Sequence, residues 1–233
     1  MHVLAVVWSA SCAKAPPAAA PELSTLHMVD LVQRADAARL AVIAGHAGSA
    51  RGHLARLADH GFELQRVDKS LRPFAESLVQ AARSGADATD LVALGQAAAR
   101  VGQACGACHD HSGRGPEFAA ADVAAGADVI AHMARHQWGV DSLWEGLVVP
   151  RDADWQAGAT AFFEVPVDAE HHASIPVEFT SLATRVHDLG TEALAVVDPS
   201  SRAEVYGQLI GTCGACHRAL AGPPGPPVSS PVE

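Results

Sequence analysis

Two stretches of the chain carry cysteine and histidine in the same order: CGACHDHSG from Cys105 and CGACHRALAG from Cys213. In Cys-x-x-Cys-His, two thiols and an imidazole fall at i, i+3 and i+4, so a helix presents all three on one face. This is the attachment pattern of c-type haem: each thiol adds across a porphyrin vinyl group as a thioether, and the imidazole reaches the iron from one side. Cys105, Cys108 and His109 form the first set, and Cys213, Cys216 and His217 the second. With five cysteines and thirteen histidines in 233 residues, random placement predicts on the order of a hundredth of one match.

Other chemistries suit the spacing less well. A thioredoxin-like dithiol needs its motif between a strand and a helix, and no strand pattern precedes either stretch. A four-cysteine zinc site would join pairs about a hundred residues apart, against roughly 15–20 in ordinary zinc spacing. Two local disulfides would leave the repeated histidines without a role. The expected cofactors are therefore two covalently attached haem c groups, with His109 and His217 on the irons.

The elements that position these residues are themselves repeated. His27-Met28 and His132-Met133 lie 105 positions apart, as do Asp36 and Asp141, Phe74 and Phe179, and Gly85 and Gly190. The motifs lie 108 apart, and TEALAVVDPSS after Gly190 is where three extra residues enter. An ordered series of this kind is the mark of a tandem duplication. Each copy divides into four helical segments by apolar spacing and turn signals. In the first they run from Thr25 to about Gly45, Ala50 to Asp59, Leu71 to Arg83 closed by Gly85, and from near Asp87 into the motif. In the second they run from Asp122 to Leu147, Asp152 to Glu164, Pro176 to Leu189, and Ser201 to Leu220, the last opened by a Ser201/Glu204 capping box. The expected fold is all-α: two tandem four-helix bundles with short up-down connections, residues 22–118 and 119–221, each with its haem near the end of the last helix.

Within that fold the stretches VGQACGACHDH and LIGTCGACHRAL resemble the last helix of the class II cytochromes c, the cytochrome c-prime family of haem-bearing four-helix bundles. Only the haem helix carries the resemblance specifically; the other helices match by pattern. The family is usually one bundle per chain, and a basic residue often follows its histidine. Arg218 stands there in the second copy, whereas Asp110 stands there in the first.

Function turns on the far side of each iron. An up-down bundle sets the start of the first helix beside the end of the fourth, which brings Met28 level with His109. Met28 and Met133 are the two methionines besides the initiator and occupy equivalent positions. The stripe of Ile130, Val140, Trp144 and Leu147 points Met133 inward. His27 and His132 are equally paired, while His136 has Leu31 as its counterpart, so these three are alternatives. Filled sixth positions favour electron transfer. Open irons, as the family resemblance implies, favour binding of nitric oxide or carbon monoxide, and one open with one closed would suit a dihaem peroxidase. Trp138, Trp144 and Trp155 read as core, and His53, His60, His111, His171 and His172 as solvated. WEGLVVPRDADW lacks a counterpart in the first copy, which makes the two haem surroundings unequal.

The remaining composition narrows the setting. Aromatic residues are only 5% against 49% apolar overall, a balance suited to close helix packing through small side chains. The net charge is −10 with 16 Lys plus Arg and no basic run, which argues against nucleic acid and leaves redox proteins as the expected partners. Residues 1–21 read as an export leader and tether, and Cys12 after Ser9-Ala10-Ser11 resembles a lipoprotein cleavage box. Residues 222–233 read as a disordered Pro-rich tail. The sequence thus points to an exported dihaem cytochrome c in a bacterial periplasm or on the outer face of a membrane, its oligomeric state open.

Overall fold

The computed structural model describes residues 25–64, 69–119, 122–123, 125–126, 128–163 and 177–221. The leader with Cys12, the tail, His171 and His172 lie outside them. Among the described residues every regular element is helical: α1 (Thr25–Ile43), α2 (Ala47–Leu64), α3 (Arg72–Ala86), α4 (Leu91–Ser112), α5 (Val129–Val148), α6 (Asp152–Thr160) with a 3-10 turn (Ala161–Phe163), α7 (Val177–Ala195) and α8 (Pro199–Ala221). No described helix is long and apolar enough to cross a membrane.

Sequence neighbours pack on each other. α1 meets α2, α2 meets α3 and α3 meets α4, with α1 also against α4; α5 to α8 repeat the pattern. The most extensive contact, however, joins α4 to α8, and α1 also touches α8 while α5 touches α4. The buried apolar residues accordingly form one continuous cluster running through both halves.

The α4–α8 contact depends on glycine. A Cβ on Gly95 would overlap the carbonyl oxygen of Gly207, and one on Gly211 would come within 2.8 Å of the Val92 Cα. Gln96 Nε2 donates to the Glu204 carbonyl at 3.2 Å, and Gln103 Nε2 to Ser200 Oγ at 3.1 Å. Residue numbers rise along α4 as they fall along α8, so the crossing is antiparallel. The two motifs therefore sit at opposite ends of it, their first cysteines about 22 Å apart along the axis at 1.5 Å per residue.

A buried charge pins the same region. Arg39 is only 7% exposed; its Nε reaches Asp36 at 3.0 Å and its Nη1 reaches Asp141 at 2.7 Å. Its guanidinium lies over the Trp144 ring, 5.4 Å from the centroid, and Trp144 stacks on Tyr206. Trp155 is fully buried and donates to the Ala193 carbonyl at 2.8 Å. Trp144 and Trp155 thus belong to the core, as read from the sequence.

Several boundaries differ from the sequence reading, each for a local reason. α3 passes through Gly85, whose missing side chain admits Leu54 and Ala97; this glycine serves packing and does not stop the helix. α4 begins after Asp90, whose carboxylate accepts from the Ala93 amide at 2.8 Å. α5 begins after Asp128, which accepts from Ala131; Gly126, at φ +126°, breaks any earlier helix. α7 runs on through Gly190, so the extra residues lengthen a helix. The proposed Ser201/Glu204 box is replaced by Asp198, whose side chain takes the Ser201 amide at 3.0 Å. Ile130 is 77% exposed, so the inward stripe of α5 runs through His132, Val140, Trp144 and Leu147.

Gly207→Val forces a branched side chain between two touching backbones. It is expected to cost about 3 kcal/mol and lower Tm by roughly 6–12 °C. Gly48→Ala, at an exposed helical site with nothing within 4 Å of the added carbon, is expected to hold or raise Tm, since alanine is the better helix former by up to about 1 kcal/mol. Thermal unfolding of the two variants checks both.

Candidate cofactor sites

Each motif lies on the last turns of a long helix, and its three side chains border one cavity, as the helical spacing requires. Cys105, Cys108 and His109 share a cleft with Met28, Leu31 and Val32 of α1, Leu57 of α2, and Phe74 and Leu78 of α3. Cys213, Cys216 and His217 share another with His132, Met133, His136 and Val140 of α5, Phe179 and Val186 of α7, and Ile43 of α1. The repeat partners Phe74 and Phe179 fall in corresponding places. Met28 stands with the first motif, while its neighbour His27 is not part of that lining. The second cavity holds His132, Met133 and His136 together. His132 is 6% exposed and Met133 39%, so the histidine is the more deeply enclosed of the two. The cavities are unequal: the first is narrow, about 50 Å³, and the second is about 450 Å³.

The motif histidines are held in a way that the sequence did not reveal. His109 Nδ1 lies 2.8 Å from the Val148 carbonyl oxygen, the last residue of α5. His217 Nδ1 lies 2.6 Å from the Ile43 carbonyl oxygen, the last residue of α1. A carbonyl only accepts, so in each ring Nδ1 carries the hydrogen and the neutral imidazole keeps its lone pair on Nε2. This is the support commonly found behind a metal-bound histidine, where a fixed tautomer aims the other nitrogen. Both carbonyls come from the opposite half of the chain, and Ile43 and Val148 are themselves 105 positions apart.

The glycine inside each motif makes these bonds possible. A Cβ on Gly106 would overlap the Leu147 carbonyl, and one on Gly214 the Val42 carbonyl. Each motif helix therefore lies with its backbone against the closing turn of the other half's first helix, close enough for the next histidine to reach the terminal oxygen.

The thiols are uncharged. Burial, and then the neighbouring cysteine of each pair, pushes Cys105 and Cys213 up to about 12; burial also raises Cys108 and Cys216. Redox-active dithiols depend on the opposite shift, toward thiolate near neutral pH. All four cysteines are free, and among the described residues they do not gather into a metal-ligand cluster. The two cysteine pairs sit at opposite ends of the α4–α8 crossing, too far apart to share one four-cysteine zinc site. Of the other histidines, His111 is exposed beside the Phe74 ring, and His60 lies 3.5 Å from Asp30. Arg218 is exposed.

The chain matches no protein-family model, no curated protein and no solved structure.

Gly106→Ala and Gly214→Ala each push apart one inter-half contact. Each is expected to cost roughly 1–3 kcal/mol, or about 2–12 °C in Tm. Hydrogen exchange localises the effect: Gly214→Ala should speed exchange of the Gly45 and His46 amides, and Gly106→Ala that of the Val149 amide. Uniform exchange changes throughout the chain would contradict the contact.

Proposed function

We propose that the chain is an exported dihaem c-type cytochrome, built as two haem-bearing four-helix units, that passes electrons between redox proteins. The observation that carries this reading is the paired tie of His109 to Val148 and His217 to Ile43. In both copies an imidazole beside two free thiols is held from behind at Nδ1, leaving Nε2 as the donor at an apolar cavity.

The side chains suit the group that the motif implies, and the first cleft, at about 50 Å³, has to open to admit it. Cys105 with Cys108, and Cys213 with Cys216, would hold it through two thioethers each, and His109 and His217 would ligate its iron. Bound there, haem would supply reversible one-electron chemistry. Leu31, Leu57, Leu78 and Phe74 exclude water from the first site, an environment that favours the less charged form of a redox centre. Met28 is the candidate for the sixth position of the first iron, since no histidine besides His109 lines that cleft. At the second iron His132, Met133 and His136 compete. Export to a periplasm or the outer face of a bacterial membrane, with a lipid tether at Cys12, follows from where covalent haem attachment takes place and from the leader's composition. An iron left open at its sixth position would instead make the protein a gas binder.

Mass spectrometry of the chain purified from a host with haem-attachment machinery is expected to show two haems per polypeptide, and Cys105→Ala/Cys108→Ala only one. The optical spectrum of the reduced protein should not respond to carbon monoxide at the first haem, whereas Met28→Ala should respond to it at once. A colourless chain of unmodified mass removes the cytochrome reading. An immediate response of the unmutated protein to carbon monoxide replaces electron transfer with gas binding.

A further inference from the structure

Three histidines of the second half converge outside the motif. His132 and His136 are one turn apart on α5, and His187 faces them from α7. One ring nitrogen from each lies within 4.8 Å of the others. The ring centroids are 4.2 Å apart for His132 and His136, and 5.2 Å for His136 and His187.

The surroundings leave nitrogen lone pairs without donors. His187 is 9% exposed, and its Nδ1–H donates to the Phe162 carbonyl at 2.6 Å, which fixes the lone pair on Nε2. That Nε2 is buried with no hydrogen-bond partner, and so is Nε2 of His136. Each buried polar atom left unpaired costs roughly 1–3 kcal/mol. Among the described residues the first half has no such cluster: Leu31 and Ala82 occupy the positions corresponding to His136 and His187, and both are buried in the shared apolar core.

We infer that His132, His136 and His187 form a site for a divalent transition-metal ion of the zinc, copper or nickel class. Neutral imidazoles without a carboxylate suit these ions and not magnesium or calcium. A backbone carbonyl behind His187 is the outer support that such ligands commonly have. Three protein nitrogens leave one coordination position open, the pattern of zinc sites that take a further ligand. His132 and His136 also line the cavity of Cys213 and His217, so the ion lies at the wall of the second cofactor site. The site uses none of the motif residues, takes His132 and His136 out of the competition for the second iron and leaves Met133 to it.

The test uses the purified full-length chain, stripped by a chelator, with zinc as the probe and iron counted separately. The chain is expected to bind one zinc in a calorimetric titration, with Tm rising by roughly 5–10 °C at about a hundredfold excess over the dissociation constant. His187→Ala should weaken zinc about a hundredfold or more and leave the haem spectrum unchanged. His136→Leu, which installs the first half's residue, should unfold no earlier than the parent without metal and gain no stability from zinc. Zinc binding or a Tm rise equal in parent and variants assigns the ion to surface histidines and overturns the site. So does a change in the second haem's spectrum in His136→Leu with both haems retained, since that imidazole then serves the porphyrin iron. A colourless chain that still takes one zinc at these residues refutes the haem reading alone.

Discussion

The structure depends on the contact between each motif helix and the closing turn of the opposite half's first helix. Gly106 against Leu147 and Gly214 against Val42 bring backbones together without intervening side chains, and only at that separation can His109 and His217 reach the terminal carbonyls. The same two bonds satisfy helix-end oxygens, which have no partner within their own helices. Helix termination, inter-half packing and imidazole orientation are thus one arrangement, made twice.

Arg39 shows how the halves are locked around it. A guanidinium this deeply buried is tolerated because Asp36 and Asp141 both reach it and Trp144 covers its face. Removing one partner of such a group typically costs about 3–5 kcal/mol, since a buried charge is left uncompensated. The two aspartates are repeat partners, one from each half, so the charge balance spans the boundary. With α4 and α8 in backbone contact beside it, neither half has a separate core. The unequal cavities at the two ends are consequently built on one rigid centre.

Much of this was legible in the sequence, and what was not has identifiable physical reasons. Helix existence follows from apolar spacing, and the motif sets follow from i, i+3, i+4 geometry, so both could be read directly. Helix starts were displaced because several aspartates compete as caps. Asp90, Asp128 and Asp198 were chosen by tertiary context over Asp87, Asp122 and Ser201. The carbonyls of Ile43 and Val148 were invisible because a backbone oxygen has no residue signature. The motif glycines occupied positions that the attachment pattern leaves free, and their role appears only when the facing helix is present. His187 carries no signal in the sequence, because its counterpart in the first half is Ala82 and nothing in its neighbourhood of α7 marks it.

The reciprocal contacts have the form of an isologous interface, in which residue i of one partner meets j of the other and j meets i. Two separate identical subunits would have to display the same side chain on both sides of such an axis. One continuous polypeptide is released from that obligation. Arg39 and Trp144 occupy corresponding positions and lie against each other as cation and ring, and Leu31 answers to His136. A single covalent chain thus leaves the two ends free to differ chemically while the approximate axis between them is kept.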